Sequence, residues 1–274
     1  SVYCLSVELS MRVGFAQFEP VFGDKERNVR TILQLLKEQI GQEADLMVLP
    51  ELCNTGYVFR SKKEVETLSE NVPEGKTTKE LIEFAEDSGL HIVAGLCEKE
   101  NGKHFNSAVL VGPEGFIAKY RKAHLFNEET LWFCKGDTPF QVHSIPEARI
   151  GMMICFDWFF PEAIRILALK NAQIICHPSN LVLPYSQKAL LGAAVQNKVF
   201  IITANRIGTE RGFRFTGMSQ IIDPNMKILA RSGRDKEEVK TVEIDPRTAD
   251  SKKINKYNDL WLDRRVDLYG PLLE

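Results

Sequence analysis

The chain has 274 residues, 44% hydrophobic and 26% charged, the balance of an ordinary soluble globular protein. Its 35 basic and 37 acidic side chains leave a net charge of −2, which speaks against nucleic acid as a partner. No apolar run approaches the roughly 18 residues of a membrane span, and six cysteines without a C-x-x-C pair point to a reduced, cytoplasmic protein rather than a disulfide scaffold.

Residues 1–10 carry neither a basic n-region nor a long apolar core, so they read as a leader or extension outside the fold, with Met11 a natural initiator. Met11–Phe18 reads as a buried strand. Lys25–Ile40 follows as a helix, with Val29, Ile32, Leu33, Leu36 and Ile40 at helical spacing, Asp24 as N-cap and Gly41 as stop. Leu46–Leu49 is a second buried strand, running into Pro50-Glu51. Thr77–Ser88 reads as an amphipathic helix capped by Thr77, with Glu80 in the capping-box position and a stop near Gly89. His91–Leu96 is a strand, and Phe105–Val111 and Gly115–Tyr120 form a hairpin around Gly112–Gly115.

Ile150–Ile154 is a short apolar run ending at Cys155, and Pro161-Glu162 then opens a helix over Ala163–Lys170. A cysteine there sits where open α/β sheets place their chemistry, and a helix N-terminus beside it favours a thiolate. Gln173–Cys176 is a strand leading to His177-Pro178-Ser179-Asn180, Leu190–Lys198 a helix and Phe200–Ala204 a buried strand. Met218–Ile222, Lys227–Ala230 and Glu238–Ile244 form an antiparallel run with a solvated tip at Ser232–Glu237. Strands alternating with helices imply an α/β fold, and the repeat of strand–helix–strand from Met11 and from Ile150 implies two similar halves. One domain over residues 11–265 and a carboxyl-terminal tail over 266–274 are expected.

Three polar residues end or follow apolar strands: Glu51 after LMVLP, Lys122 in KYRKAHLF and Cys155 after GMMI. Taken singly, each has a bland reading: a loop cap, a solvated charge and a small buried filler. Taken together, PELCNTGY, KYRKAHLF and ICFDWFFPE, in this order, resemble the nitrilase superfamily of carbon–nitrogen hydrolases, closely its thermophilic nitrilase/amidase-like branch. The resemblance runs from Met11 to about Arg265. It implies a four-layer αββα sandwich, a homodimer or higher homo-oligomer, no cofactor, and a Glu51–Lys122–Cys155 triad. The family's second glutamate matches Glu129 in HLFNEE, with Glu128 as its neighbouring alternative.

That set of residue types suits amide chemistry. A thiol is mostly protonated at neutral pH and needs a base, which Glu51 supplies, returning the proton to the departing amine. Lys122 and the Phe156 N–H are the expected oxyanion stabilisers, and Glu129 would orient Lys122 and the scissile group. Tyr57 and Trp158 either wall a small pocket or simply pack. Asn180 either hydrogen-bonds a substrate amide or caps its loop. The five histidines show no metal-binding spacing, and His124 and His177 read as structural groups near the site. G-x-S-x-G and the P-loop signature are absent. The expected activity is conversion of a small aliphatic amide and water to carboxylate and ammonia. A nitrilase and an N-carbamoyl-amine amidohydrolase remain alternatives; the sequence offers no obvious arginine pair for a substrate carboxylate, although Arg206 and Arg211 are available on a loop.

Overall fold

The computed structural model describes residues 10–40 and 43–274. The extension at 1–9 and the helix stop at Gly41 lie outside the described residues. β1 (Met11–Gln17) is buried almost throughout and leads into α1 (Lys25–Ile40), where Asp24 Oδ1 accepts the Arg27 N–H at 3.1 Å as an N-cap should. β2 (Leu46–Val48) follows, then α2 (Lys62–Leu68), which the sequence reading missed although S-K-K-E spells a capping box: the Ser61 side chain accepts the Glu64 N–H. α3 (Lys76–Ser88) starts one residue earlier than expected and is capped differently. Thr77 is inside the helix, and the Glu70 carboxylate accepts its N–H at 2.8 Å; Gly89 ends the helix in the left-handed region as expected.

β3 (His91–Glu100) and β4 (Lys103–Gly112) are longer than their apolar cores suggest. Asn101-Gly102, both at positive φ, is a hairpin turn between them that went unread. The strand continues through Glu98 because that buried carboxylate is met by Arg121, Lys119 and the Ser107 hydroxyl. β5 (Gly115–Arg121) completes the expected hairpin. α4 (Glu129–Trp132), β6 (Val142–Ser144) and β7 (Arg149–Met152) lead to the second half, which runs α5 (Pro161–Leu169), β8 (Ile174–Pro178), α6 (Ser186–Asn197) and β9 (Phe200–Ala204). Short β10 (Thr209–Glu210) and β11 (Phe213–Arg214) form a separate hairpin before β12 (Gln220–Ile222), β13 (Ile228–Arg231) and β14 (Glu238–Ile244).

The strands make two six-stranded sheets, in the orders β14-β1-β2-β3-β4-β5 and β13-β12-β9-β8-β7-β6. In each, three parallel strands joined through helices are flanked by antiparallel ones, one on the first side and two on the other. The two halves are therefore alike in topology, as the repeated strand–helix–strand pattern implied. One expectation fails in its partner: β14 is antiparallel but does not extend the β12–β13 hairpin. It crosses to the first sheet and pairs with β1, Val13 opposite Val242.

Period-two alternation builds the layers. Val13, Phe15, Val48 and Val93 meet Ile150, Ile174 and Ile202 between the sheets, while Ala16, Met47 and Ile92 face Ile32, Leu36, Leu81 and Ala85 of α1 and α3. On the far side Met153, Ile175 and Ile201 pack on Ile164, Leu167 and Leu190 of α5 and α6. The order is helices, sheet, sheet, helices. No helix among the described residues is long and apolar enough to cross a membrane.

Glu51, Lys122, Cys155 and Asn180 follow β2, β5, β7 and β8 respectively. Two glycines let the chain close around the first two. A Cβ at Gly95 would lie 2.4 Å from the Glu51 Cα, and one at Gly136 would lie 2.1 Å from the Arg121 carbonyl oxygen. Neither backbone can retreat without moving a site residue. Gly95→Ala is expected to lower the unfolding free energy by about 1–3 kcal/mol and to cut turnover at least tenfold. Gly192→Ala in α6, where an added Cβ meets nothing, is the control and should stabilise slightly. Thermal unfolding and activity assays on the two variants check this.

Candidate active site

β2 delivers Leu49-Pro50-Glu51 into a tight corner, with Leu52 at φ 48° immediately after the carboxylate. Glu51 is fully buried. Its Oε1 accepts from Lys122 Nζ at 2.7 Å and from Asn106 Nδ2 at 2.7 Å, and its backbone oxygen accepts from Asn180 Nδ2 at 2.8 Å. Lys122 Nζ also donates to Glu129 Oε1 at 2.7 Å, and the Tyr57 hydroxyl donates to that same oxygen at 2.6 Å. One ammonium is thus shared by two carboxylates out of contact with water. Such a cluster is worth its burial only when every member is held; removing one member of a buried pair costs roughly 3–5 kcal/mol.

The protonation states follow from these neighbours. Burial alone would pull the Lys122 ammonium down, but Glu129, Glu51 and Cys155 more than offset this, so it stays protonated. Burial, with the Glu51 charge added and Lys122 opposing, pushes the Glu129 carboxyl up to about 7. Burial also raises the Cys155 thiol well above its usual value, reinforced by Glu51 and offset in part by Lys122. The resting sulfur is therefore a thiol, and a thiol becomes a strong nucleophile only when a base takes its proton. Tyr57 is raised by burial and the acids around it, which keeps its hydroxyl a donor to Glu129.

Cys155 itself has φ 42°, an uncommon backbone for a residue with a Cβ, of the kind that concentrates at functional sites. It opens a 3-10 turn, Cys155–Phe159, so the helix expected directly after it begins only at Pro161. The turn is tied down by Asp157, fully buried, whose Oδ2 accepts from the Ile154 N–H at 2.9 Å and the Tyr120 hydroxyl at 2.8 Å. Its Oδ1 accepts the His124 N–H at 3.1 Å and lies 2.8 Å from His124 Nδ1. Asp157 thereby ties the cysteine turn to the segment that carries Lys122. His177 Nε2 lies 2.9 Å from the Cys155 carbonyl oxygen, and burial pushes its ring down to about 4. The neutral ring must carry its proton on Nε2, since a carbonyl can only accept. Among the described residues the Phe156 N–H finds no acceptor, leaving it free for an oxyanion.

The expected site residues gather, with adjustments. Glu129 contacts Lys122, whereas Glu128 is exposed. Trp158 lines a cavity with Cys155, Phe156 and Asn180, and Tyr57 lines an adjoining one while bonding to Glu129. The Asn180 amide nitrogen is already committed to Glu51, and only its Oδ1 remains without a partner. His124 and His177 are the structural groups the sequence reading took them for. Three contributors went unread: Asn106, Asp157 and Glu210. Asn106 carries a visible signal, a polar residue inside the apolar strand β4. Glu210 accepts the Tyr57 and Val58 N–H groups at 2.8 and 2.6 Å and binds Arg206 at 2.7 Å. Arg206 is buried in that pair, and Arg211 is taken by Glu64 at 2.9 Å.

A pair of α/β sheets with an acid–lysine–thiol cluster at the strand ends defines the architecture of a hydrolytic enzyme. The family model of carbon–nitrogen hydrolases matches residues 12–253, and the chain belongs to that family, within the nitrilase superfamily. It is 45% identical over 259 residues to a nitrilase of Pyrococcus abyssi (strain GE5 / Orsay), covering 94% of this chain and 99% of the relative. It is similar in structure to a carbon–nitrogen hydrolase of Helicobacter pylori G27, with a TM-score of 0.88, 26% identity and 97% and 99% coverage. It is also similar to a Glu-to-Gln mutant of the amidase from Nesterenkonia sp. AN1, with a TM-score of 0.80, 25% identity and 94% and 95% coverage. In that structure the acetamide moiety of fluoroacetamide is covalently added at the active-site cysteine.

The displaced Glu129 carboxyl leaves a mark on stability. Folded, it keeps its proton up to about 7, against an ordinary value of 4.5, so its favourable contribution is complete below 4.5 and lost as pH rises through 7. Glu129→Gln should remove that component. Urea unfolding of wild type and variant at pH 5 and pH 8 should show the pH-dependent loss shrinking by roughly 2–3 kcal/mol; an unchanged loss would assign the slope to other groups.

Proposed function

We propose that the protein hydrolyses a small aliphatic amide to the carboxylate and ammonia through a thioester on Cys155. Glu51 takes the thiol proton as the sulfur attacks the carbonyl carbon, a contribution of about 10²–10⁴ in rate for a placed base. The oxyanion is received by Lys122 and the Phe156 N–H. The carbon–nitrogen bond breaks as Glu51 passes its proton to the leaving nitrogen, releasing ammonia. Glu51 then deprotonates a water that attacks the thioester, and the carboxylate departs as the thiol re-forms. Glu129 keeps Lys122 in place between the two acids.

The observation that carries the amide reading is a surplus of acceptors. Glu51 Oε2 and Asn180 Oδ1 are buried without a hydrogen-bond partner among the described residues, and Glu129 Oε2 joins them as an acceptor once its carboxyl has lost its proton. The Tyr57 hydroxyl is committed to Glu129, and Lys122 spends two of its three N–H groups on the carboxylates, keeping one for the oxyanion. A primary amide brings two N–H groups to such a site, whereas a nitrile brings none and would leave the acceptors desolvated and unpaired. The second reading, a nitrile hydrolysed through a thioimidate, draws support from the Pyrococcus relative's name. The carbamoylase reading loses its expected carboxylate partners, because Arg206 and Arg211 are both committed to glutamates. Free cysteines, four of them buried, support a reducing compartment such as the cytoplasm, and the exposed Leu262, Leu268, Leu272 and Leu273 support a homodimer.

Ammonia release from matched aliphatic amides and nitriles checks the reading. Amides should be turned over at least tenfold faster than nitriles of the same acyl length, and Cys155→Ala should abolish both while remaining folded. Turnover of nitriles alone would reverse the assignment.

A further inference from the structure

The cavity beside Cys155 is walled by Phe126, Phe156, Trp158, Leu181, Val182 and Leu183, with Asn180 its other polar member. Among the described residues no charged side chain lines it. Its volume is about 20 Å³, room for roughly one water-sized group, so the shortest chains fit it best. Phe126 and Val182 also line a second cavity of about 30 Å³, which continues past Tyr57 and Glu129 to Trp132 and Phe213. Phe126 and Val182 are therefore walls shared by the inner cavity, at the thiol, and the outer one.

The walls are held firmly. The loop after β8 is fixed by the Asn180 amide on the Glu51 backbone oxygen and by the Leu181 N–H on Asn205 Oδ1 at 2.9 Å. Leu181 O in turn accepts the Thr216 N–H at 2.8 Å. Phe126 and Phe156 lie with ring centroids 5.1 Å apart. The charges at the outer cavity are the carboxylates Glu128 and Glu129, and the nearby arginines Arg206 and Arg211 are bonded away from it.

We propose that the inner cavity is an acyl pocket for a short, uncharged, apolar group, that Val182 sets the chain length accepted, and that substrates bearing a carboxylate are excluded. This rests on the amide reading for its substrate and sharpens it. An apolar pocket cannot solvate an anion, and the exposed Glu128 carboxylate beyond it adds repulsion.

The test is kcat/KM for linear amides of increasing length, their matched nitriles, succinamate and 4-aminobutyramide. It uses wild type, Val182→Ala and Val182→Leu, each checked for unchanged thermal unfolding. The shortest neutral amides should be preferred, with succinamate at least roughly 100-fold poorer than valeramide. Val182→Ala should move the optimum longer by about one or two carbons and Val182→Leu shorter. If only nitriles turn over, the amide reading fails, while the same length order and the same shifts among the nitriles still uphold the pocket.

A turnover-free arm compares alkylation of Cys155 by iodoacetamide and iodoacetate, with exposed Cys134 as internal reference. Iodoacetate should discriminate against Cys155 at least tenfold more than iodoacetamide does. Succinamate or 4-aminobutyramide matching valeramide, equal labelling by the two reagents, or a length optimum indifferent to residue 182 would overturn the proposal.

Discussion

Everything in this molecule is arranged around an ammonium group that has no water. Lys122 lies buried just beyond the end of β5, and among the described residues its charge is answered by Glu51 and Glu129. A cation in that position is tolerable only if its partners cannot drift, because in a low-dielectric surrounding each lost contact is an uncompensated charge. Much of the neighbourhood serves this end. Asn106 and Tyr57 each fasten one carboxylate, and the backbone of Glu51 is pinned by Asn180. Glu98 clamps Arg121, the residue before Lys122, with Lys119 beside it.

The same requirement explains why the site is assembled from the ends of four strands rather than from one loop. Two sheets packed face to face bring the ends of β2, β5, β7 and β8 together, and a rigid scaffold places charges more accurately than a flexible segment does. Asp157 and His177 then hold the cysteine turn in its unusual backbone conformation, one from the side chain of the turn and one from the carbonyl of Cys155. Neither needs to touch a substrate to matter, since they fix where the thiol and the Phe156 N–H stand relative to Lys122.

Much of this was legible in the sequence. Buried strands announced themselves as apolar runs, helices by spacing and caps, and the two-fold repeat by order alone. α2 and the Asn101-Gly102 turn were missed despite local signals, whereas three other elements were misread because a distant partner overrode the local signal. β3 runs on through Glu98 because Arg121 waits across the sheet, α3 is capped by Glu70 rather than Thr77, and β14 leaves its neighbouring hairpin to pair with β1. At the site, Glu51, Lys122, Cys155 and Glu129 stood out as costly residues at strand ends. Asn106 showed only as a polar residue inside an apolar strand, and Asp157 and Glu210 not at all, since a buried polar group declares its role through partners far away in the chain. The Cys155 backbone was equally invisible, because positive φ is a tertiary constraint when the residue is not glycine.

The central claim is that Cys155 carries the acyl group during turnover. The direct measurement is the intact mass of the protein after acid quenching during steady-state hydrolysis of a short amide, followed by peptide mapping. The account predicts a mass increase equal to the acyl group, located on the Cys155 peptide and absent from Cys155→Ala. Ammonia release that persists with no adduct on Cys155, or an adduct on another residue, would contradict it.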